Sequence, residues 1–322
     1  MVRRDNIGDM VCTTPLLSAL RAQYPLAWIG VLANTYNAPI LEGNPDVDQV
    51  CTYRKLKHVD SGISFFALAH KAMLLWRLRR RQLDLVVLAT GAEDSRGARL
   101  ARFLAPKQTL VSDRIQVGMH EVERTFSAAR SLGIEGPIPP LRITADEASL
   151  GRVRQSVALA DLASKRPLIG IHISARRPAQ RWSADRFAEL SVALYEDLGA
   201  TTMLFWSPGA ENRPQHPGDD EKASTIIERT ANRRSLVPWP TARLQELVAG
   251  IAACDAVICS DGGAMHIAAG LGKPIVCFFG DSPVDRWRPY GTRHIVLQAR
   301  SRIVADISLE ETLASTTSLI MG

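Results

Sequence analysis

Val257-Ile-Cys-Ser-Asp-Gly-Gly-Ala-Met-His-Ile-Ala-Ala-Gly-Leu-Gly-Lys-Pro-Ile-Val-Cys-Phe-Phe-Gly280 is the stretch from which the fold is read. It predicts a short apolar strand ending at Ser260, a glycine turn at Gly262 and Gly263, and a helix over roughly Ala264 to Leu271. Gly272 ends that helix, Pro274 follows, and a second buried strand runs from Ile275 to Phe279. A strand that turns through glycines into a helix aims backbone N–H groups and the positive end of the helix dipole at one point. Such a point binds phosphate. Asp261 at the strand tip and His266 one turn into the helix would stand beside the anion. The same residues also fit an ordinary βα turn with a capping Asp and a surface His. Two familiar phosphate motifs are excluded. Reading back from Gly272-Lys273, a P-loop needs glycine where Ile267 stands and a hydroxyl where Pro274 stands. Gly262-Gly263 runs into Ala264-Met265-His266, so no Gly-x-Gly-x-x-Gly fingerprint forms.

Outward from this unit the pattern repeats. Strands are predicted near Trp28–Leu32, Leu83–Leu88, Leu168–Ile173, Thr201–Trp206, Ala256–Cys259 and Ile275–Phe279. Helices are predicted near Pro15–Gln23, Ala38–Glu42, 65–80, 95–104, Ala145–Leu162, Ala184–Asp197, Thr241–Ala253 and 264–271. Alternation of this kind builds parallel sheets covered by helices. The chain has 322 residues, enough for two cores. Two successive series, split near residue 165, predict an α/β protein of two Rossmann-like domains, 1–165 and 166–304. The last helix (305–322, with Ser308–Ile320 its regular part) is expected to pack back on the first. Ligands in such sheets lie outside the carboxyl ends of the strands, so the expected site is the cleft between domains.

Composition narrows the class. Hydrophobic residues at 46% and charged residues at 22% suit a soluble globular protein. No apolar run is long enough for a membrane span, and Met1-Val-Arg-Arg-Asp-Asn is no signal peptide. The five cysteines are odd in number and form no Cys-x-x-Cys pair, which predicts reduced core thiols in a cytoplasmic protein. No His/Cys cluster has metal-ligand spacing. A net charge of +6 suits anionic substrates or an anionic membrane surface. Part of it lies in Leu75-Trp-Arg-Leu-Arg-Arg-Arg81. This cluster reads either as a solvated helix end complementing its dipole or as a membrane-surface patch with Trp76 at the interface. No nucleic-acid motif accompanies the charge.

Three segments line up just past strand ends: Arg3–Leu17, containing Ile7-Gly-Asp9; Gly170–Phe187, containing Arg181-Trp182; and Ser260–Phe279 with its tail to Gly291. In this order they resemble glycosyltransferase family 9, the ADP-heptose:lipopolysaccharide heptosyltransferases, nearly end to end. The resemblance implies a GT-B architecture with two domains facing across a cleft. It implies inverting transfer of a heptose from ADP-heptose to the lipopolysaccharide inner core, with no cofactor and no obligatory metal. An acceptor linked to lipid A implies a cytoplasmic enzyme, peripheral at the inner face of the inner membrane. A related GT-B transferase using another nucleotide sugar, a GT-B-fold nucleotide-sugar epimerase, or a non-catalytic scaffold would share the fold.

Site roles follow from the resemblance, position by position. Asp9 matches the general base that takes the acceptor proton, or it caps the following helix. Gly262, Gly263 and Ala264 offer backbone N–H groups to the leaving diphosphate. The family sets a lysine two residues before the Trp or directly before it; here Arg181 precedes Trp182, and arginine grips phosphate bidentately. Ser174 adds a strand-tip hydroxyl, Asp261 matches the residue on the donor sugar's hydroxyls, and His266 the one beside the diphosphate. Glu211 matches the acidic residue on the ribose, or it is a solvated surface residue of its polar loop. The family's usual Asp-Thr-Gly is Asp261-Gly262-Gly263 here, one hydroxyl fewer. His120-Glu-Val-Glu-Arg124 resembles the acceptor-side helix, and Arg96 is a second acceptor candidate. Only Met1-Val2 precedes the arginine pair, so either the true start lies upstream or the first strand is a stub.

Overall fold

The computed structural model describes residues 1–53, 65–91, 94–159, 167–211, 218–231 and 235–322. They form two compact units, Met1–Thr144 and Ala145–Gly322. The boundary expected near residue 165 lies among residues outside the described ones.

The first unit contains α1 (Ile7–Val11), α2 (Thr14–Gln23), β1 (Gly30–Asn34), β2 (Gln49–Tyr53), α3 (Phe65–Arg80), β3 (Leu85–Leu88), α4 (Ser95–Leu104), β4 (Gln108–Val111) and α5 (Glu121–Arg130). β1 pairs with β2 and β3 with β4, all parallel. Val2 joins the pairs by bridging Leu32 on one side and Leu88 on the other. The order is therefore β2-β1-Val2-β3-β4, with the shortest segment at the centre. Four backbone bonds hold that stub: Val2 N–H to Val87 O at 2.8 Å, Arg3 N–H to Leu32 O at 3.1 Å, Leu32 N–H to Met1 O at 2.8 Å and Ala89 N–H to Val2 O at 3.3 Å. Val2 itself is buried among Leu32, Leu88, Leu78 and Leu104. A strand this short suffices because both its edges are paired and its one side chain is in the core.

The second unit contains α6 (Glu147–Leu159), β5 (Leu168–His172), α7 (Ala184–Leu198), β6 (Thr201–Trp206), α8 (Asp220–Thr230), β7 (Leu236–Pro240), α9 (Leu244–Ala253), β8 (Ala256–Ser260), α10 (Gly263–Gly270), β9 (Ile275–Phe278), α11 (Val284–Trp287), β10 (His294–Leu297) and α12 (Leu309–Met321). Its sheet is six-stranded and parallel, in the order β10-β9-β8-β5-β6-β7. Gly170 in β5 and Gly250 in α9 flank the Phe205 ring; a Cβ would meet that ring at 2.7 Å and 2.4 Å respectively. Both glycines exist so that helix, ring and strand can close up. Trp182 is buried with its indole N–H on Ile307 O at 3.0 Å and its ring against Phe187 and Phe278, each at 5.1 Å. That anchor fixes the loop after β5. All five cysteines are buried, and none forms a disulfide.

Two helices depart from expectation. α12, expected on the first domain, belongs to the second unit: Leu309, Leu313, Leu319 and Ile320 pack into that unit's core beside α7 and β9. α6, assigned by sequence to the first domain, packs on α9. An amphipathic helix states that it has an apolar face and leaves open what covers it.

Candidate active site

In the second unit the chain's strand order reverses between β5 and β8, and the crevice outside their carboxyl ends is where such sheets take ligands. The loop after β5 and the turn after β8 are tied there. Ser260 Oγ donates to Gln180 O at 2.7 Å, and Gln180 Nε2 donates to Asp261 Oδ2 at 3.1 Å and Ser282 Oγ at 3.2 Å. Asp261 N–H closes onto Phe278 O at 2.8 Å. Gly262, Gly263 and Ala264 form the first turn of α10, with Gly262 exposed and a Cβ there meeting nothing nearer than Ser260 O at 3.9 Å. That turn presents its N–H end to open space, the requirement for an anion. Gly272, at a φ of +69°, turns the chain out of α10, and Lys273 N–H bonds back to Ala268 O at 3.0 Å. His266 is buried, its ring edge-on to Trp287 at 5.9 Å.

At the ends of β5 and β6 a second group gathers. Arg181 Nη1 pairs with Glu211, and Arg181 Nε donates to Ala175 O at 3.0 Å. Ser174 Oγ accepts from Ser207 N–H at 2.9 Å and bonds the Asp219 carboxyl. The structure thus brings Ser174, Arg181 and Glu211 together, and Asp261 with Gly262–Ala264. Sequence reasoning missed Gln180, Asp219 and Lys222. Gln180 occupies the place two before Trp182 where a lysine was the family's alternative. Lys222, on α8, carries no motif; only the fold puts its Nζ on Ile173 O at 3.1 Å, beside Asp219, Arg181 and Glu211.

Burial pushes the Lys222 ammonium down to about 8, with Arg181 reinforcing it and Asp219 and Glu211 opposing. Unfolded, it would titrate near 10.5. Between those values the unfolded chain binds more protons, so this group makes stability rise with pH from about 8 toward 10.5. The denaturation midpoint of wild type minus that of Lys222→Met should therefore rise across that window. Parallel curves would show that Lys222 keeps an ordinary affinity for its proton.

The first unit has its own buried constellation, just past Val2 and β3. Arg3 is fully buried; its Nη2 donates to Asp9 Oδ1 and to Glu121 Oε1, each at 2.8 Å, and its Nη1 to Ala89 O. Arg124 Nε donates to Glu121 Oε2 at 2.9 Å, and Arg124 Nη2 to Ala89 O at 3.0 Å. Asp9 Oδ2 accepts from Asn6 N–H and Asn6 Nδ2, both at 3.0 Å, the cap geometry of α1. A carboxylate has about four lone-pair sites; three contacts occupy Asp9, leaving room for one more donor. Burial opposes charge on Arg3, but Asp9, Asp5 and Glu121 outweigh it and raise its affinity for its proton. Burial also works against the Glu121 carboxylate, yet Arg124 and Arg3 hold it at about 2. The expected acceptor-side run is corrected here. Glu121 and Arg124 are interior members of this network, and His120 Nδ1 caps its own helix by accepting from Val122 N–H at 3.1 Å. Arg96 is exposed.

Among the described residues no group of three His, Cys, Asp or Glu could hold a metal, and no helix is long and apolar enough to cross a membrane.

Comparison with known proteins agrees with this architecture. The model of glycosyltransferase family 9 (heptosyltransferase) matches residues 77–313. Lipopolysaccharide heptosyltransferase 2 of Escherichia coli strain K12 is 27% identical over 312 residues, 91% of this chain and 85% of that protein. The crystal structure of a family 9 glycosyltransferase from Veillonella parvula superposes with a TM-score of 0.84 at 21% identity, covering 99% of this chain and 96% of that one. ADP-heptose LPS heptosyltransferase II of E. coli superposes with a TM-score of 0.77 at 22% identity, covering 99% and 97%.

Proposed function

The chain belongs to glycosyltransferase family 9, and from that premise we propose that it is an inverting heptosyltransferase acting from ADP-heptose on the lipopolysaccharide inner core. The observation that carries this reading is the second unit's crevice. An open helix N-terminus at Gly262–Ala264 lies across the β5–β8 switch point from an arginine on the loop after β5. The relative from E. coli K12, a lipopolysaccharide heptosyltransferase, supports the substrate class.

In this reading an acceptor hydroxyl oxygen attacks the anomeric carbon as its bond to the diphosphate breaks. The hydroxyl proton passes to Asp9, and negative charge accumulates on the departing ADP. Arg181 and the N–H groups of Gly262, Gly263 and Ala264 stabilise that charge. Ser174 and Glu211 serve the nucleotide, Asp261 the sugar hydroxyls, and His266 backs the diphosphate turn from its buried position. Arg181 is partnered in this structure by Glu211, whose side chain is 62% exposed. Ion pairs of that exposure are worth about 0–1 kcal/mol, so Arg181 can exchange Glu211 for phosphate at small cost. The acceptor is lipid-linked, which puts the reaction at a membrane surface.

The test is to offer ADP-heptose, ADP-glucose and UDP-glucose with purified lipid-linked acceptor and to follow nucleotide release and product anomer. Transfer from ADP-heptose alone, with inversion, is expected; preference for a uridine donor or retention would overturn the reading. Arg181→Ala should lose a charged contact that strengthens as ADP departs, a loss on the order of 3 kcal/mol or about 10²-fold in kcat. Arg181→Lys should recover part of it, since the charge returns without the bidentate fork. Unchanged turnover in Arg181→Ala would remove this residue from the mechanism.

A further inference from the structure

Helices α3 and α4 neighbour one another in the first unit, and each turns one stripe to the core: Leu74, Leu75 and Leu78 on α3, Ala101 and Leu104 on α4. The opposite stripe of α3 brings Phe66, Met73, Trp76, Arg77 and Arg80 together at helical spacing. It is open to solvent, with Phe66 84%, Trp76 52% and Met73 45% exposed. α4 adds exposed Arg99, Arg102 and Phe103. The two helices are joined across this surface. Arg79 stacks over the Phe103 ring at 5.5 Å and donates to the Phe103 carbonyl, while Arg80 stacks over Trp76 at 4.8 Å. Neither helix contains an Asp or Glu. Among the described residues the nearest flanking acids are committed elsewhere, Asp94 to Arg4 and Asp84 to Lys107, each at 2.7 Å.

Two properties coincide on this face, and one occupant satisfies both. Cations with no acidic partner among the described residues call for an anionic partner, and exposed Met73, Trp76 and Phe103 call for an apolar one. A nucleic acid or free phosphate would answer the arginines and leave the apolar side chains in water. A bilayer with anionic headgroups takes the arginines at the phosphates, and the aromatic and Met side chains at the headgroup–acyl boundary, where Trp is favoured. We propose that the α3–α4 face seats this protein on an anionic lipid bilayer. None of these residues belongs to the candidate active site, so the proposal stands apart from which sugar is transferred.

The experiment is co-sedimentation of the full chain with vesicles of phosphatidylcholine alone and of phosphatidylcholine with 30 mole per cent phosphatidylglycerol, a working range of about one-third anionic lipid. Binding at least about tenfold tighter to the anionic vesicles, weakening with salt, is expected. Arg77→Gln/Arg80→Gln/Arg99→Gln/Arg102→Gln should weaken it about fivefold per cation removed. Trp76→Ala/Met73→Ala should weaken it while leaving the salt dependence in place. A control, Arg152→Gln/Arg154→Gln/Arg229→Gln/Arg300→Gln, removes the same charge from the second unit and should bind as wild type does. Equal binding to neutral vesicles, a control that loses as much as the patch variant, or a patch variant that binds normally would each overturn the proposal. So would loss of duplex RNA binding by the patch variant in a protein that ignores vesicles.

Discussion

Asp9→Asn is expected to lower the rate of transfer by about 10²–10⁴-fold, the usual contribution of a positioned general base, with ADP affinity unchanged. The affinity should survive because ADP is proposed to sit on the other unit. The structure shows why a second variant is needed to read this result. Asp9 Oδ2 accepts two hydrogen bonds from Asn6, while Oδ1 accepts one from Arg3. An asparagine there must turn its NH₂ either on the Asn6 donors or on the Arg3 guanidinium, so some stability goes with the base. Asn6→Ala removes the side-chain part of that cap, leaving the Asn6 N–H on Asp9, and keeps the carboxylate, at a cost of roughly 1 kcal/mol. If Asp9 only caps α1, both variants lose stability and both retain full turnover per folded molecule. If Asp9 is the base, only Asp9→Asn loses turnover. Turnover unchanged in both would move the base elsewhere and undo the assignment of this site.

What could be read from the chain alone was the chemistry of turns and of strands buried on both faces. β8, α10 and β9 fall within a residue or two of expectation, because Gly262-Gly263, Gly272 and Pro274 act locally. The strands missed were β2, β4, β7 and β10, and each is an edge of its sheet. Edge strands are half-solvated and keep polar residues or prolines, as in Gln108-Thr-Leu-Val and Leu-Val-Pro238-Trp-Pro240, so no continuous apolar run marks them. Partnerships over long separations were equally hidden. Arg181 showed its charge but not Glu211 as its partner, and nothing in His120–Arg124 indicated that Glu121 would reach Arg3 across 118 positions. A motif reports which side chains are present at a strand end; which of them bond one another depends on strand order.

Arg3→Met is expected to destabilise the first unit by about 3–5 kcal/mol, the loss typical when one partner of a buried ion pair is removed. That is a large fraction of the roughly 5–15 kcal/mol that holds a domain folded. The hydrocarbon part of methionine fills much of the same space, so the loss is electrostatic in origin. Asp9 loses the guanidinium donor on Oδ1, Glu121 loses one of its two arginines, and both carboxylates remain out of water. The pH dependence separates this from lost packing. In wild type the Glu121 carboxyl is held at about 2 against an unfolded value of 4.5, so its stabilising effect is present above 4.5 and fades as pH falls toward 2. In the variant the stranded carboxylates are relieved by taking up protons, so the gap between wild type and variant should narrow from pH 7 to pH 4. Denaturant midpoints for both proteins across that range supply the measurement. A gap that stays constant with pH would assign the loss to packing of the arginine stem, and would leave Arg3 no electrostatic part in holding Asp9. Arg3→Lys should restore charge but not geometry, because a point ammonium cannot keep the Asp9, Glu121 and Ala89 contacts of a guanidinium fork. Its stability should fall between the two, and its turnover should follow how well Asp9 remains aimed.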